Sequence, residues 1–312
     1  MYDIAIIIIN YRTPDVTTMC LQSVSHEIIG LNAKIIVVDN NSADGSIEII
    51  KSWIDENHVN NKMTLLCSEK NLGFSGGNNL GITSIDSKYY LLLNSDTLVK
   101  PGAIKQLLKT AKVNKNTGLV TPRLEGENGS IQASCFRYIS PISELIASAQ
   151  TGLVTKLLIK FDVPLDQREV ISSPPWTSFA CVLVKKEVFN DIGLLDDGFF
   201  MYFEDTEFCY RARKASWNIL NDPGSHVVHL QGVSSKVEEK SQLKSRLPRY
   251  YYESRTRYFY KRYGWYGPLF ANLCWHTGRM ISLVRQLFGR KDKSVISYQW
   301  RDIWINYFRP LK

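Results

Sequence analysis

Residues 4–14, IAIIIINYRTP, and residues 35–42, IIVVDNNS, decide the fold. The run from Ile4 to Ile9 is apolar throughout and β-branched at all but Ala5, and it stops abruptly on Asn10-Tyr11-Arg12. Thr13-Pro14 then offers a cap followed by proline in the first helical turn. Val16, Met19, Cys20 and Val24 fall at helical spacing, and the second apolar run, Ile35 to Val38, closes on Asp39-Asn40-Asn41-Ser42. This is a βαβ unit. Strands that are apolar on both faces belong to a parallel sheet covered on both sides, and both runs end in polar residues on the same carboxyl edge. Open α/β sheets bind ligands at that edge.

The pattern continues. Asp44-Gly45-Ser46 opens a helix through about Glu56, Met63 to Cys67 reads as a third strand, and Tyr89 to Leu93 as a fourth that ends in Asn94-Ser95-Asp96. Between these last two lies NLGFSGGNNLGI, residues 71–82, which the glycines mark as a loop whose backbone can approach a bulky anionic ligand. Its spacing is not the dinucleotide fingerprint G-x-G-x-x-G, which disfavours a Rossmann oxidoreductase. Asp96, at a strand tip, suits a hard cation shared with a diphosphate, since Mg²⁺ and Mn²⁺ favour oxygen ligands; a turn-forming aspartate is the alternative. Pro101 begins a helix to about Lys112, Ile142 to Lys160 has the spacing of an amphipathic helix, and Phe179 to Val184 reads as a short buried strand.

Residues 200–210, FMYFEDTEFCY, set Glu204 and Asp205 side by side among aromatics. Desolvation and a like-charged neighbour raise a carboxyl pKa toward that of a general base. The same spacing, Glu204 to Glu207, also makes an acidic helix start, and local sequence leaves the two readings open.

Composition sets outer bounds. The chain has 312 residues, 44% hydrophobic, enough for a well-buried core in one large or two modest domains. The run Ile4 to Ile9 is too short for a membrane span and follows Asp3 where a signal peptide would carry basic residues, so the expected location is the cytoplasm. The cysteines, at 20, 67, 135, 181, 209 and 274, form no CxxC pair and read as reduced core residues. Charge is uneven: from Lys236 onward there are 17 Lys and Arg against 5 Asp and Glu, net +12, while residues 1–235 carry −4. Residues 246–266, RLPRYYYESRTRYFYKRYGWY, interleave basic and aromatic side chains. That mixture fits nucleic acid, an anionic membrane surface, or an ordinary helix packed on the domain.

Taken in order, the strand into Asn10-Tyr11, VVDNNSADGS at 37–46, NLGFSGGNNLGI, LLLNSD at 91–96, GLLDDGFFMYFEDTEFCYRAR at 193–213, and His229-x-x-Gly232-x-Ser234 resemble the family-2 inverting glycosyltransferases. The likeness is to their rhamnosyltransferase-like members. It implies a GT-A fold, a Rossmann-like nucleotide-binding sheet merged with an acceptor-binding half, followed here by a C-terminal helical basic extension. The implied division is residues 1–235 for the transferase domain, with 1–123 the nucleotide-sugar half and 124–235 the acceptor half, and 236–312 for an extension associated with membrane or acceptor.

The resemblance also implies roles. Tyr11 and Asp39 would hold the nucleotide base, and Asn71, Gly73 and Asn78 would line the nucleotide and diphosphate. Asn94-Ser95-Asp96 stands where the family has DxD, with Asn94 replacing the first Asp. Asp96 and His229 would meet a Mg²⁺ or Mn²⁺ ion. Asp205 would be the catalytic base and Glu204 its neighbour, with Trp176, Asp196 and Tyr202 as sugar contacts. The implied donor is dTDP-L-rhamnose, with a UDP-sugar as the alternative. The implied acceptor is a saccharide or a polyprenyl-diphosphate-linked saccharide in bacterial surface polysaccharide assembly, met at the inner face of the cell membrane. A nucleic-acid-binding protein is disfavoured by the acidic remainder and the strand-tip motifs.

Overall fold

The computed structural model describes residues 1–113, 115–165, 173–230, 240–241, 243–289 and 295–312. The expected domain boundary near Ser235, and Gly232 and Ser234 of the last motif, lie outside them.

The first half alternates as the apolar runs predict: β1 (Tyr2–Asn10), α1 (Pro14–Glu27), β2 (Ala33–Asp39), α2 (Ser46–Glu56), β3 (Met63–Cys67), α3 (Gly73–Thr83), β4 (Ser87–Asn94), β5 (Thr97–Val99), α4 (Ala103–Ala111) and β6 (Thr117–Glu125). There follow β7 (Cys135–Phe136), α5 (Pro141–Ala149), α6 (Gly152–Leu157), β8 (Trp176–Thr177), β9 (Cys181–Lys185), α7 (Lys186–Ile192), α8 (Glu204–Lys214) and β10 (Asn218–His229). The C-terminal part adds α9 (Arg249–Tyr263), α10 (Tyr266–Leu287) and α11 (Gln299–Asp302).

Eight strands form one sheet in the order β3-β2-β1-β4-β9-β6-β10-β5, and β7 pairs with β8 apart from it. β1 runs parallel to β2 and β4, which brings Asn10 opposite Asp39 and Ile9 opposite Asn94 at one edge. β9 is antiparallel to both β4 and β6, so it interrupts an otherwise mostly parallel sheet. Ile4, Ile6, Ile8, Val37 and Leu91 pack into one core and Ala5, Ile7, Val38 and Leu92 into the other. Strands covered on both faces need such continuous apolar runs, and these supply them.

Two expectations require correction. Residues 73–83 are a helix, α3, where the glycines predicted a loop. Helix propensity is overridden because the glycines let the helix lie directly on the sheet: a methyl at Gly81 would fall 2.5 Å from the Ile7 side chain. The stretch from Ile142 to Lys160 is broken at Gln150, which takes a left-handed φ of 48° that a continuous helix does not tolerate.

The basic aromatic stretch packs inward. Arg255, only 3% exposed, bridges Glu144 at 2.9 Å and donates to Asn272 at 2.7 Å. Tyr252, Tyr258 and Phe259 are buried. For residues 249–263 the ordinary packed helix is therefore the right reading, with Tyr263 alone among their rings exposed.

Candidate active site

The polar edge is built from strand ends. Asp39 is fully buried and accepts from Asn10 Nδ2 at 2.7 Å, from the Ser42 hydroxyl at 2.6 Å and from the Ser42 backbone at 3.1 Å. Its carboxylate fixes the two strand tips to one another. The Arg12 amide donates to the same Ser42 hydroxyl at 3.0 Å, and the Arg12 guanidinium sits 5.2 Å from the Tyr11 ring centroid, leaving Tyr11 38% exposed. Tyr11 is thus a partly exposed aromatic ring beside this edge.

Asn40, which sequence reasoning passed over, clamps the entry to α3. Its side chain donates to the Gly73 carbonyl at 3.0 Å and to Asn71 Oδ1 at 3.1 Å, and accepts from the Leu72 amide at 2.9 Å. Asn71 Oδ1 also accepts from the Gly73 amide at 2.9 Å, and Asn78 is buried and turned back onto the Phe74 carbonyl. Asn79, equally overlooked, exchanges two hydrogen bonds with the Leu195 backbone, at 2.8 and 3.1 Å. The motif's asparagines and glycines therefore fasten the first half of the chain to the 193–205 segment. The signal in the sequence was their number, more than a phosphate loop needs.

At the end of β4, Asn94, Ser95 and Asp96 turn into β5, and β5 pairs with β10 so that Thr97 lies opposite His229. His229 Nε2 comes to 3.4 Å from Asp96 Oδ1, and Asp96 is buried. His226 goes elsewhere, its Nδ1 lying 2.9 Å from Glu125. Of these two histidines it is His229 that lies beside Asp96. Asn94 Oδ1 is buried without a hydrogen-bond partner among the described residues. One carboxylate, one imidazole and an unengaged amide oxygen make a donor set suited to Mg²⁺ or Mn²⁺. No group of three or more His, Cys, Asp or Glu gathers among the described residues, so further ligands would come from a diphosphate and water.

Glu204 and Asp205 open α8 after two consecutive left-handed residues, Tyr202 (φ 71°) and Phe203 (φ 69°). Strain of that kind, roughly 1–3 kcal/mol per residue, persists only where surroundings enforce it. Here the Ser254 hydroxyl of α9 holds the Met201 carbonyl at 3.0 Å, and Phe203 packs on Tyr251 and Tyr258. Asp205 accepts from the Thr206 amide at 2.7 Å, yet burial outweighs such bonds and raises its pKa to about 6. Glu204 is pushed well above its ordinary range by burial and then by the Asp205 charge, and its Oε2 has no hydrogen-bond partner among the described residues. The backbone of Phe179 hydrogen-bonds to Asp205, and the next carbonyl, Ala180, accepts from the Asn94 amide at 2.9 Å. The raised carboxylate thus stands beside the strand end that carries Asp96.

The expected sugar contacts fare differently. Trp176 is buried, stacked on Phe136 at 4.4 Å with its Nε1 bonded to the Arg137 carbonyl, so it is a core residue. Asp196 bridges Arg257 at 2.8 Å and Lys261 at 2.6 Å; burial alone would raise its pKa, and these bonds lower it to about 2. It ties α9 to the loop before α8 instead of facing a sugar. Tyr202 is half-buried with its ring 5.7 Å from that of Tyr251.

Residues 5–146 match the sequence model of glycosyl transferase family 2. That stretch is similar to a family 2 glycosyltransferase domain. The chain is 29% identical over 245 residues to the low-salt glycan biosynthesis hexosyltransferase Agl10 of Haloferax volcanii, covering 77% of this chain and 71% of that one. It is 24% identical over 225 residues to the N-acetylglucosaminyl-diphospho-decaprenol L-rhamnosyltransferase of Mycobacterium tuberculosis, covering 67% and 70%. Among solved structures, the mannosyltransferase PcManGT of Pyrobaculum calidifontis, in complex with GDP-Man and Mn²⁺, superposes with a TM-score of 0.60 at 12% identity, over 93% of this chain and 79% of that one. That likeness establishes the GT-A fold. The glycosyltransferase is an enzyme with rhamnosyltransferase-like relatives.

Proposed function

We propose that the protein is an inverting transferase that moves L-rhamnose from dTDP-L-rhamnose to a saccharide or polyprenyl-diphosphate-linked saccharide in cell-surface polysaccharide assembly, working at the inner face of the membrane. The observation that carries the reading is the raised pKa of Asp205 beside the strand end holding Asp96 and His229. The likeness to a transferase named for L-rhamnose and a diphospho-decaprenol acceptor favours this donor and acceptor class.

In this reading Tyr11 presents its ring to the nucleotide base, and Asp39 keeps the loop under it in shape through Asn10 and Ser42. Asp96 and His229 would hold Mg²⁺ or Mn²⁺, with Asn94 Oδ1 beside them; such an ion, when bound, neutralises charge on the departing diphosphate. Asp205 takes the proton of the acceptor hydroxyl. The acceptor oxygen bonds to the anomeric carbon from the face opposite the nucleoside diphosphate, whose C–O bond breaks with the electron pair leaving on the diphosphate, so the configuration inverts. Base assistance of this kind contributes on the order of 10²–10⁴ in rate. Burial and the Asp205 charge favour the protonated form of Glu204, which supports the pair without a proton-transfer role.

A donor panel tests the proposal: dTDP-L-rhamnose, UDP-galactose and UDP-N-acetylglucosamine, scored by released nucleoside diphosphate with Mn²⁺, Mg²⁺ or EDTA. The expected result is metal-dependent turnover of the dTDP-sugar. Faster release from a UDP-sugar would replace the donor, and release from none would remove the activity.

A further inference from the structure

Helix α10 has two dissimilar faces. Gly267, Ala271, Gly278 and Ser282 turn inward, and a methyl at Gly278 would fall 2.4 Å from the Leu145 carbonyl oxygen, so the helix lies directly on α5. On the opposite face Tyr266, Phe270, Leu273, Met280, Val284 and Leu287 stand 48% to 85% exposed. They recur at helical spacing along the whole element, and the one polar residue among them, Thr277, folds its hydroxyl back onto the Leu273 carbonyl. An apolar face of this length on a packed helix is not needed for folding.

The face continues on both flanks. On one side Met280 and Leu283 share an apolar cleft of about 470 Å³ with Trp300. On the other, the Arg285 guanidinium holds the Ala149 and Gln150 carbonyls, which fixes the start of α6 beside it. There Leu153 and Leu157 are 68% and 74% exposed next to the exposed Lys156 and Lys160.

We propose that the exposed face of α10, extended by α6, docks on an anionic lipid bilayer, with the helix lying in the headgroup plane. The proposal deepens the lipid-linked acceptor reading and rests on it for its purpose. No helix among the described residues is long and apolar enough to cross a membrane, which fits a helix that lies along the surface. Charge selects the occupant. The segment from Lys236 onward carries net +12, so a second copy would bring two strongly basic segments together, whereas anionic lipid suits the exposed Lys156 and Lys160 beside the apolar face. This face differs from residues 246–263, whose basic and aromatic side chains are largely engaged inside the molecule.

Flotation of the full chain with phosphatidylcholine vesicles, with and without phosphatidylglycerol, tests the docking. The wild type should float with the anionic vesicles at least tenfold more than with the neutral ones. The variant Leu273→Glu/Met280→Glu/Val284→Glu should lose that binding tenfold or more, with thermal midpoint and transfer to a water-soluble acceptor unchanged. Leu273→Gln alone, a milder change at an exposed site, should lower binding in the same direction, and Lys156→Glu/Lys160→Glu should weaken only the anionic component. A wild type that ignores anionic vesicles, a triple variant that floats as the wild type does, or a wild-type dimer in sedimentation that the triple variant dissolves would each overturn it. Vesicle binding without any sugar transfer would count against the catalytic reading and uphold this one.

Discussion

Gly73, at φ 68°, lies against the backbone of Phe200 so closely that a methyl group on it would fall 2.1 Å from the Phe200 carbonyl oxygen, which itself accepts from the Phe74 amide at 2.6 Å. The start of α3 and the approach to Glu204-Asp205 are therefore in direct backbone contact. Gly73→Ala should cost about 2–4 kcal/mol, from left-handed strain plus a displaced segment. Gly45→Ala is the control, since Gly45 has φ 87° with open space around it and should show the strain alone, about 1–2 kcal/mol. Equal losses in denaturant unfolding would mean the Phe200 contact yields freely.

Asp205→Asn should lower turnover by about 10²–10⁴ while leaving nucleoside diphosphate affinity within about twofold. Because burial raises the Asp205 pKa to about 6, and the ionised form is the base, the wild-type rate should fall as pH drops below that value. The residual rate of the variant should lack this limb. A variant with full activity would end the assignment.

Glu204 answers to pH through stability. Its folded-state pKa lies above the ordinary 4.5, so its contribution is fully present below 4.5 and is lost as pH rises through the raised value. Glu204→Gln should therefore melt higher than the wild type at pH 7–8, by about 1–3 kcal/mol, with the gap closing in acid. A gap that persists at pH 4 would contradict the burial argument.

Asp196 has the opposite sign. Its pKa drops from 3.8 to about 2 in the folded chain, so its contribution is present above 3.8 and vanishes as pH falls through about 2. Asp196→Asn should destabilise by about 1–3 kcal/mol at neutral pH, since Arg257 and Lys261 lose their common partner. A large activity loss with unchanged stability would instead restore Asp196 as a sugar contact.

Asp96→Ala and His229→Ala should each weaken Mn²⁺-dependent binding of nucleoside diphosphate by about tenfold or more, and the double variant should lose less than the product. Calorimetric titration with and without Mn²⁺ separates this from a general loss of affinity. Unaltered metal response in both variants would move the cation elsewhere.

The sheet and its polar edge were legible because buried parallel strands leave uninterrupted apolar runs that end where the chain leaves the sheet through a polar residue, as at Ile9-Asn10 and Val38-Asp39. His229 was legible by motif, and the β5–β10 pairing that delivers it to Asp96 was not, because antiparallel pairing across more than 120 residues leaves no local trace. The glycines of 73–81 misled, since close helix-on-sheet packing and anion approach ask for the same residue. Trp176 and Asp196 misled for a related reason: an aromatic ring or a carboxylate near a site can as easily hold the site's frame, and only the partners Phe136, Arg257 and Lys261 tell which.

β9 has a consequence for motion. Its preceding residues, Phe179 and Ala180, touch Asp205 on one side and Asn94 on the other, so a single stretch of backbone works as a ruler between proton removal and diphosphate departure in the proposed reaction. A distance set by covalent length cannot be adjusted by hinge closure. Changes of acceptor among chains built this way must then come from the walls around that ruler, while its length stays the same.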